Sequence, residues 1–228
     1  MKKILACTLS LLMVLCAFIP NIKASQAEDF ALKLPDPFTG MGRIAGGDYH
    51  SMAIKADGSM YAWGSNQFGE IGQGTTGGKV LVPAKITSNA KCVAAGYGYS
   101  LATNSNYILM AWGKNDYGQL GNGKTENSAA HVQIMNDVKY VTAGESHTMA
   151  IKHDGSLWVW GWNESGQVGD GSTQNCLSPK WIMSDVVMCA AGYSSSMALK
   201  NDGSVWTWGD NSFGQLRHGT LTASHTPI

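Results

Sequence analysis

The fold is decided by residues 144–169, which read GESHTMAIKHDGSLWVWGWNESGQVG. This stretch recurs along the chain, marked by a tryptophan followed by glycine at spacings of 49, 48 and 48 residues. The four tryptophans are Trp63, Trp112, Trp160 and Trp208. A glycine recurs with the same offsets, at Gly47, Gly96, Gly144 and Gly192. Columns that repeat in one register indicate a tandem-repeat architecture.

Each repeat of about 48 residues contains four segments typical of short strands. In the third repeat, residues 141–144 are small, which suits an innermost strand, and residues 148–151 follow as a second strand. Asp154-Gly155 then predicts a hairpin turn, because glycine takes positive φ without strain. Residues 156–160 alternate up to the Trp-Gly pair, and residues 177–182 form a looser apolar segment. The sequence therefore predicts an all-β propeller with four-stranded antiparallel blades.

The repeats cover nearly all of the chain after an N-terminal region. We place them at approximately residues 42–90, 91–138, 139–186 and 187–228. The last repeat is incomplete, since Ile228 aligns with Lys180 and counterparts of Trp181, Ile182 and Met183 are missing.

Residues 47–72 and 144–169 resemble the repeats of the regulator of chromosome condensation family. They share the pattern Gly-x-x-His-Ser/Thr-x-Ala-Ile-x-x-Asp-Gly-Ser-x-x-x-Trp-Gly-x-Asn, followed by a glycine-rich loop, and the likeness extends over residues 42–228. The resemblance implies a propeller that usually has seven blades. It also implies a protein-interaction platform, a nucleotide-exchange factor or, as in one exported bacterial case, a β-lactamase inhibitor.

Two features depart from that pattern. Only four repeats are present, and Arg217 stands where the other repeats have Gly72, Gly121 and Gly169. If that position needs positive φ, arginine is strained there. Either residues 28–41, with a strand-like segment from Phe30 to Phe38, close a four-blade ring, or the chain is part of a larger propeller. We favour the second alternative.

The N-terminus has the features of an export signal. Lys2 and Lys3 precede an apolar run from Ile4 to Ile19, and small residues near Ala27 offer a cleavage site, so residues 1–27 are predicted to be a signal peptide. An uncleaved anchor is the alternative, although the run is short for a membrane span. We expect a secreted or cell-surface protein with no membrane contact beyond the signal segment.

Composition argues against several function classes. Cleavage would leave 13 basic and 16 acidic residues, a net charge of −3 with no basic stripe, so nucleic acid is not an expected partner.

The remaining cysteines are Cys92, Cys176 and Cys189, without CxxC spacing; we interpret them as small buried apolar residues, and no disulfide can be assigned. His50 and His147 share a column with Tyr99 and Ser195, which favours a structural role over a metal or catalytic one. We expect no catalytic residues, no metal and no cofactor.

Function in a repeat protein should lie where the repeats differ. The tryptophan and glycine columns are expected to be structural, whereas the variable loops mix aromatic and charged residues. We predict that Tyr97, Tyr99, Trp162 and Tyr193 contribute to a binding face, although packing between neighbouring loops explains them equally well. The leading hypothesis is a non-enzymatic scaffold that binds a protein partner outside the cytoplasm. The alternative is a module for extracellular or cell-wall glycan, and guanine-nucleotide exchange is a third hypothesis, resting on the resemblance alone.

Overall fold

The computed structural model describes residues 42–228, so the predicted signal peptide and the strand-like segment from Phe30 to Phe38 lie outside the described residues. From residue 42 onward every regular element is a β-strand, and no helix in that range is long and apolar enough to cross a membrane. The first two blades consist of β1 (Ile44–Gly46), β2 (His50–Ile54), β3 (Met60–Ser65), β4 (Lys79–Thr87), β5 (Ala90–Ala95), β6 (Tyr99–Asn104), β7 (Leu109–Gly113) and β8 (Ser128–Met135). The third and fourth blades consist of β9 (Val138–Ala143), β10 (His147–Lys152), β11 (Leu157–Gly161), β12 (Cys176–Met183), β13 (Val186–Ala191), β14 (Ser195–Lys200) and β15 (Val205–Gly209).

Within each blade, sequential strands pair antiparallel in chain order. Blades 1, 2 and 3 have four strands, and blade 4 has three. The last residues lie where a fourth strand would run, with a bridge between Gly209 and Ser224 and reciprocal backbone hydrogen bonds of 3.0 and 3.1 Å between Thr207 and Ile228. The prediction of an all-β propeller with four-stranded antiparallel blades is confirmed.

The hairpin turns form as their residues predict, with one exception. Gly58, Gly155 and Gly203 have φ values of 84°, 79° and 87°. In blade 2 the sequence has Asn106-Tyr107 in place of Asp-Gly, and asparagine would be the usual left-handed residue, but that residue is Tyr107, with φ of 59°. The side chain of Asn104 explains this, because its Oδ1 accepts hydrogen bonds from the backbone N–H groups of Asn106 and Ile108.

The hydrophobic core lies between blades. Three buried clusters fill the three junctions between consecutive blades. Trp112, Trp160 and Trp208 are fully buried, one at each junction, whereas Trp63 in blade 1 is only partly buried. Cys92 and Cys189 are also buried within these clusters, and both are free thiols, as is Cys176.

Each junction is also joined by the same pair of hydrogen bonds. At the junction of blades 2 and 3, the carbonyl of Gln119 accepts from Trp160 Nε1 at 3.0 Å and from Thr148 Oγ1 at 2.8 Å. The carbonyl of Glu70 likewise accepts hydrogen bonds from Trp112 Nε1 and Ser100 Oγ in blade 2. The carbonyl of Gln167 accepts from Trp208 Nε1 and Ser196 Oγ in blade 4, and all four distances are 2.7–2.9 Å. A loop carbonyl of one blade therefore fixes both the tryptophan and a hydroxyl of the next.

The glycine column has a steric cause. A Cβ atom added to Gly47 would lie 2.6 Å from the carbonyl oxygen of Gly96, and one added to Gly96 would lie 2.5 Å from that of Gly144. The pattern continues from Gly144 to the carbonyl of Gly192 at 2.6 Å. In blades 1, 2 and 3 the first turn thus packs too closely against the next blade for a side chain at this position.

Blade 4 differs from the other blades on the side facing away from blade 3. Met197 and Val205 are 44% and 57% exposed, whereas their counterparts in the other blades are buried. Arg217 adopts φ of 58°, so the position does require the left-handed conformation that Gly72, Gly121 and Gly169 adopt in their blades.

Candidate functional site

The antiparallel topology places two loops of every blade at the same end. The turn from the first to the second strand and the long loop from the third to the fourth strand both lie there, while the remaining connections lie at the opposite end. We call this end the loop face. It consists of residues 47–49, 66–78, 96–98, 114–127, 144–146, 162–175, 192–194 and 210–223.

A first aromatic cluster lies where the loops of blades 1 and 2 meet. The Tyr97 ring lies 6.1 Å from that of Tyr49, edge to face, and 6.5 Å from that of Phe68. Lys114 covers this cluster, with its Nζ atom 4.2 Å from the centre of the Tyr97 ring and 5.5 Å from that of Phe68. The same ammonium lies 3.6 Å from Asp116 Oδ2, and the lysine side chain is only 13% exposed. The first cluster therefore already holds a cation.

A second aromatic cluster lies across blades 2, 3 and 4. The Trp162 ring lies 5.8 Å from that of Tyr117 and 6.1 Å from that of Tyr193, the latter edge to face. Tyr193 is 66% exposed, and Tyr117 and Trp162 are partly buried. Such aromatic pairs stabilise one another by about 0.5–1.5 kcal/mol each beyond their buried area, so the cluster is an ordered surface.

Glu145 connects the two clusters. Its backbone carbonyl accepts a hydrogen bond from the N–H of Tyr97 at 3.0 Å. Its carboxylate accepts from the hydroxyl of Tyr193, and this hydrogen bond, with the charges of Glu145 and more weakly Asp48, raises the pKa of Tyr193. This hydrogen bond holds the Tyr193 hydroxyl towards the Glu145 carboxylate.

Three of the four predicted binding residues lie on the loop face, because Tyr97, Trp162 and Tyr193 belong to the two clusters. The prediction for Tyr99 is wrong. Tyr99 is fully buried, and its hydroxyl donates to the carbonyl of His147 at 2.6 Å in the next blade. It occupies the junction position that histidine fills in blades 1 and 3, and it cannot contact a partner.

The sequence interpretation did not select Tyr49, Phe68 or Tyr117 as binding residues. Tyr49 follows the inner glycine, but Phe68 and Tyr117 belong to the glycine-rich loop, which is distant in sequence. The signal that could have found them is the strand order, since in an antiparallel blade those two loops share one end.

The two buried histidines are structural. Ser100 Oγ donates to the carbonyl of Glu70 at 2.7 Å, so His50 Nε2, 2.8 Å from that oxygen, must be the donor of their shared hydrogen bond. His147 and Ser196 repeat the arrangement at 3.0 Å. Burial lowers the pKa of both rings, that of His147 to about 4, so both are neutral at pH 7. In residues 42–228 no three His, Cys, Asp or Glu side chains are grouped to hold a metal ion.

Comparison with known families agrees with this architecture. The sequence model of the Regulator of chromosome condensation (RCC1) repeat matches residues 57–103, 109–151 and 154–199. A second model of the same description matches residues 43–70, 138–167 and 190–215. The chain belongs to this family. Members of the RCC1-repeat family typically bind proteins and include nucleotide-exchange factors.

The sequence of this RCC1-repeat protein covers only part of the length of the relatives that it matches. It is 31% identical over 72 residues to protein pim1 of Schizosaccharomyces pombe, across 30% of this chain and 13% of pim1. Among solved structures it resembles human WBSCR16, with a TM-score of 0.71 and 23% identity over 81% of this chain and 51% of that chain. It also resembles Prp20p of Saccharomyces cerevisiae, described with its binding to Gsp1p and histones, with a TM-score of 0.72 and 21% identity over 81% and 49%. The chain thus spans about half the length of these structures, which share its fold.

Proposed function

We propose that this RCC1-repeat protein is a non-enzymatic scaffold that binds a protein partner outside the cytoplasm through its loop face. The observation that carries the proposal is the pair of aromatic clusters on that face. Their residues lie at positions where the repeats differ, whereas the repeated tryptophans, glycines and histidines are used in the blade junctions.

The composition of the loop face supports protein recognition. Tyr49 and Phe213 are 71% and 93% exposed, and Tyr193 adds a third large exposed ring. Tyrosine and tryptophan supply large contact areas at low cost in conformational entropy, and they dominate the binding energy of many interfaces. The rings of the two aromatic clusters pack against one another, so they are positioned before a partner arrives, which reduces the entropic cost of binding.

The family supports the same class of function, since its members typically bind proteins. The location outside the cytoplasm rests on the predicted signal peptide at residues 1–27. Its test is fractionation of the native host, in which the mature chain should appear in the envelope or medium and its new N-terminus should lie near Glu28.

The test of partner recognition uses the immobilised mature chain and an envelope extract of the native host. Replacement of Trp162 and Tyr193 by alanine should abolish specific capture of a protein. Trp181→Ala is the matched control, because Trp181 is a 53% exposed tryptophan on β12, away from the loop face.

Three outcomes separate the possible ligands. Capture that is lost after protease treatment of the extract and in the Trp162/Tyr193 double variant, but not in Trp181→Ala, supports the proposal. Capture that survives protease and is lost after glycosidase treatment identifies a glycan-binding module instead. Capture that is unaffected by the double variant contradicts the assignment to the loop face.

A further inference from the structure

The loop face carries more acidic than basic side chains. Its carboxylates belong to Asp48, Glu70, Asp116, Glu126, Glu145, Glu164, Asp170 and Asp210. Its lysines and arginine are Lys114, Lys124 and Arg217, and Lys114 is already engaged with Asp116 and the first aromatic cluster. A partner therefore meets negative potential and aromatic rings together.

Asp48 and Glu145 are brought close to the tyrosines by the glycine column. In each blade one residue directly follows the recurring glycine of the first turn (Gly47, Gly96, Gly144 or Gly192). These four residues are Asp48, Tyr97, Glu145 and Tyr193. The resulting order around the centre is carboxylate, phenol, carboxylate, phenol. Glu145 hydrogen-bonds Tyr193, and the negative charges of Glu145 and Asp48 both raise the pKa of that phenol.

The first aromatic cluster shows what such a surface holds. There an ammonium group lies over two rings and next to one carboxylate, in a contact that belongs to the protein itself. Cations bind to aromatic faces in this way because of the ring quadrupole, most strongly when they are partly withdrawn from water.

The second aromatic cluster has the same components except the cation. The position that Lys114 occupies in blade 2 is Trp162 in blade 3, so the lysine is replaced by a third ring. The carboxylate of the second cluster is that of Glu145, which accepts a hydrogen bond from the Tyr193 hydroxyl. From residue 42 to residue 228 no lysine or arginine lies over Tyr117, Trp162 or Tyr193, whereas six other cation–ring contacts occur in that range.

We propose that the second aromatic cluster, with Glu145, binds an arginine or lysine side chain of the protein partner. This inference rests on the proposed function and adds the chemistry of the partner's anchoring residue. The guanidinium or ammonium would lie over the Trp162 and Tyr193 rings and be neutralised by Glu145, as Lys114 is by Asp116.

The test is a titration of the mature chain with the pentapeptide acetyl-Gly-Gly-Arg-Gly-Gly-amide, followed by the NMR signal of the Trp162 indole N–H. The matched probe carries citrulline in place of arginine, which keeps the shape and removes the charge. We expect a saturable shift with the arginine peptide at millimolar concentration, at least fivefold weaker binding of the citrulline peptide, and at least threefold weaker binding to Glu145→Gln. Equal affinity for the two peptides, no shift with either, or an unchanged affinity of Glu145→Gln would overturn the inference.

A second variant tests the equivalence of the clusters without altering the proposed site. Lys114→Ala removes the cation from the first cluster, so the variant should bind a second arginine peptide, seen as a new saturable shift of the Tyr97 amide. A Lys114→Ala variant that still binds one peptide, at the Trp162 cluster alone, would show that the two clusters are not equivalent and would count against the inference.

The partner experiment separates this inference from the proposed function. If capture of the partner depends on Trp162 and Tyr193 but is unchanged by Glu145→Gln and by 0.5 M salt, which screens most surface charge interactions (Debye length on the order of 5 Å), the protein-binding function stands and the basic anchor is wrong. If capture does not depend on those rings at all, the proposed function fails first.

Discussion

His147 lies in the junction between blades 3 and 4, where its Nε2 atom donates to Ser196 Oγ at 3.0 Å. That serine hydroxyl donates onward to the carbonyl of Gln167, which also accepts from the Trp208 indole. A neutral ring fits this chain of donors, and burial lowers the pKa of His147 to about 4. Protonation of the ring therefore places a charge in a fully buried junction.

This burial predicts a loss of stability in mild acid. An unfolded histidine titrates near 6.5, above the pKa of folded His147, so the folded state is penalised as the pH falls from about 6.5 towards 4. The penalty approaches roughly 3 kcal/mol once the pH is below both values. Tyrosine fills the same column in blade 2, so His147→Tyr should remove much of this pH dependence. Urea titrations at pH 7.5, 6, 5 and 4.5 measure it, and parallel pH profiles for wild type and variant would refute the assignment.

Replacing a tryptophan of the repeated column by alanine should lower the free energy of unfolding by different amounts in different blades. Trp160 is fully buried and donates to Gln119, so Trp160→Ala should lower the free energy of unfolding by roughly 3–5 kcal/mol. Trp63→Ala is the control, because Trp63 holds the same place in its repeat but is partly exposed. Trp63→Ala should lower the free energy of unfolding by a clearly smaller amount in the same denaturant titration. Equal losses would mean that the junctions do not account for the column.

Single residues were the least predictable part of the sequence interpretation. Tyr99 is predicted for the binding face because it belongs to the variable, aromatic stretch Tyr97-Gly98-Tyr99 after the first strand, although its column otherwise holds histidine and serine. All of these side chains can satisfy buried polar groups, and Tyr99 does so with two carbonyls of the next blade. Variation in a column thus indicated exchange among hydrogen-bonding residues, not exposure.

At the scale of elements, the glycine-rich loops show why one backbone conformation recurs. A Cβ atom on Gly121 would lie 2.5 Å from Trp160 Nε1, and one on Gly169 would lie 2.6 Å from Trp208 Nε1. The loop of each blade is therefore pressed against the tryptophan of the next. Positive φ and steric contact both favour glycine there.

These two effects can be separated experimentally. Gly121→Ala should lower the free energy of unfolding by roughly 2–4 kcal/mol, because it adds a clash to the cost of a left-handed alanine. Gly74→Ala is the control, since Gly74 has φ of 76° but nothing within 4 Å of an added Cβ. It should cost about 1 kcal/mol. Thermal or urea unfolding of both variants decides, and equal losses would show that contact with Trp160 contributes nothing.

Arg217 allows the reverse experiment, in which a residue with positive φ is replaced by glycine. Its φ of 58° is a left-handed conformation that costs a side-chain-bearing residue energy, so Arg217→Gly should raise the free energy of unfolding by about 0.5–1 kcal/mol after the entropy of glycine is counted. Arg217→Ala keeps the Cβ atom and should give no such gain. A gain of equal size in both variants would point to the arginine charge instead of the backbone.

The elements themselves followed well from the sequence. Strand spacing, hairpin turns and blade order depend on local turn chemistry and on alternation, and both repeat four times. Phe68 and Tyr117 could not be placed with Tyr97 and Trp162 by local rules. Their contacts with neighbouring blades depend on the angle between blades, which no single repeat encodes.

At the scale of the whole molecule, blade 4 exposes an apolar surface that the other blades bury. Replacing Met197 by glutamine and Val205 by threonine should reduce concentration-dependent self-association without lowering the free energy of unfolding, because both side chains are about half exposed. Light scattering after size exclusion at several concentrations measures this. Leu81→Gln, at an 85% exposed site on β4, is the control and should leave association unchanged. Unchanged association in the double variant would show that this surface is not adhesive.

The junctions also give the row of blades a direction. Every carbonyl that receives a tryptophan and a hydroxyl belongs to the earlier blade, and every donor belongs to the later one. The exposed side of blade 1 can therefore only receive a loop, and the exposed side of blade 4 can only offer one. Two copies could join head to tail but not head to head, and Arg217, whose Cβ takes the space that a neighbour's indole needs, opposes even the permitted order. A side chain at this one backbone position therefore opposes the docking of any further blade on that side.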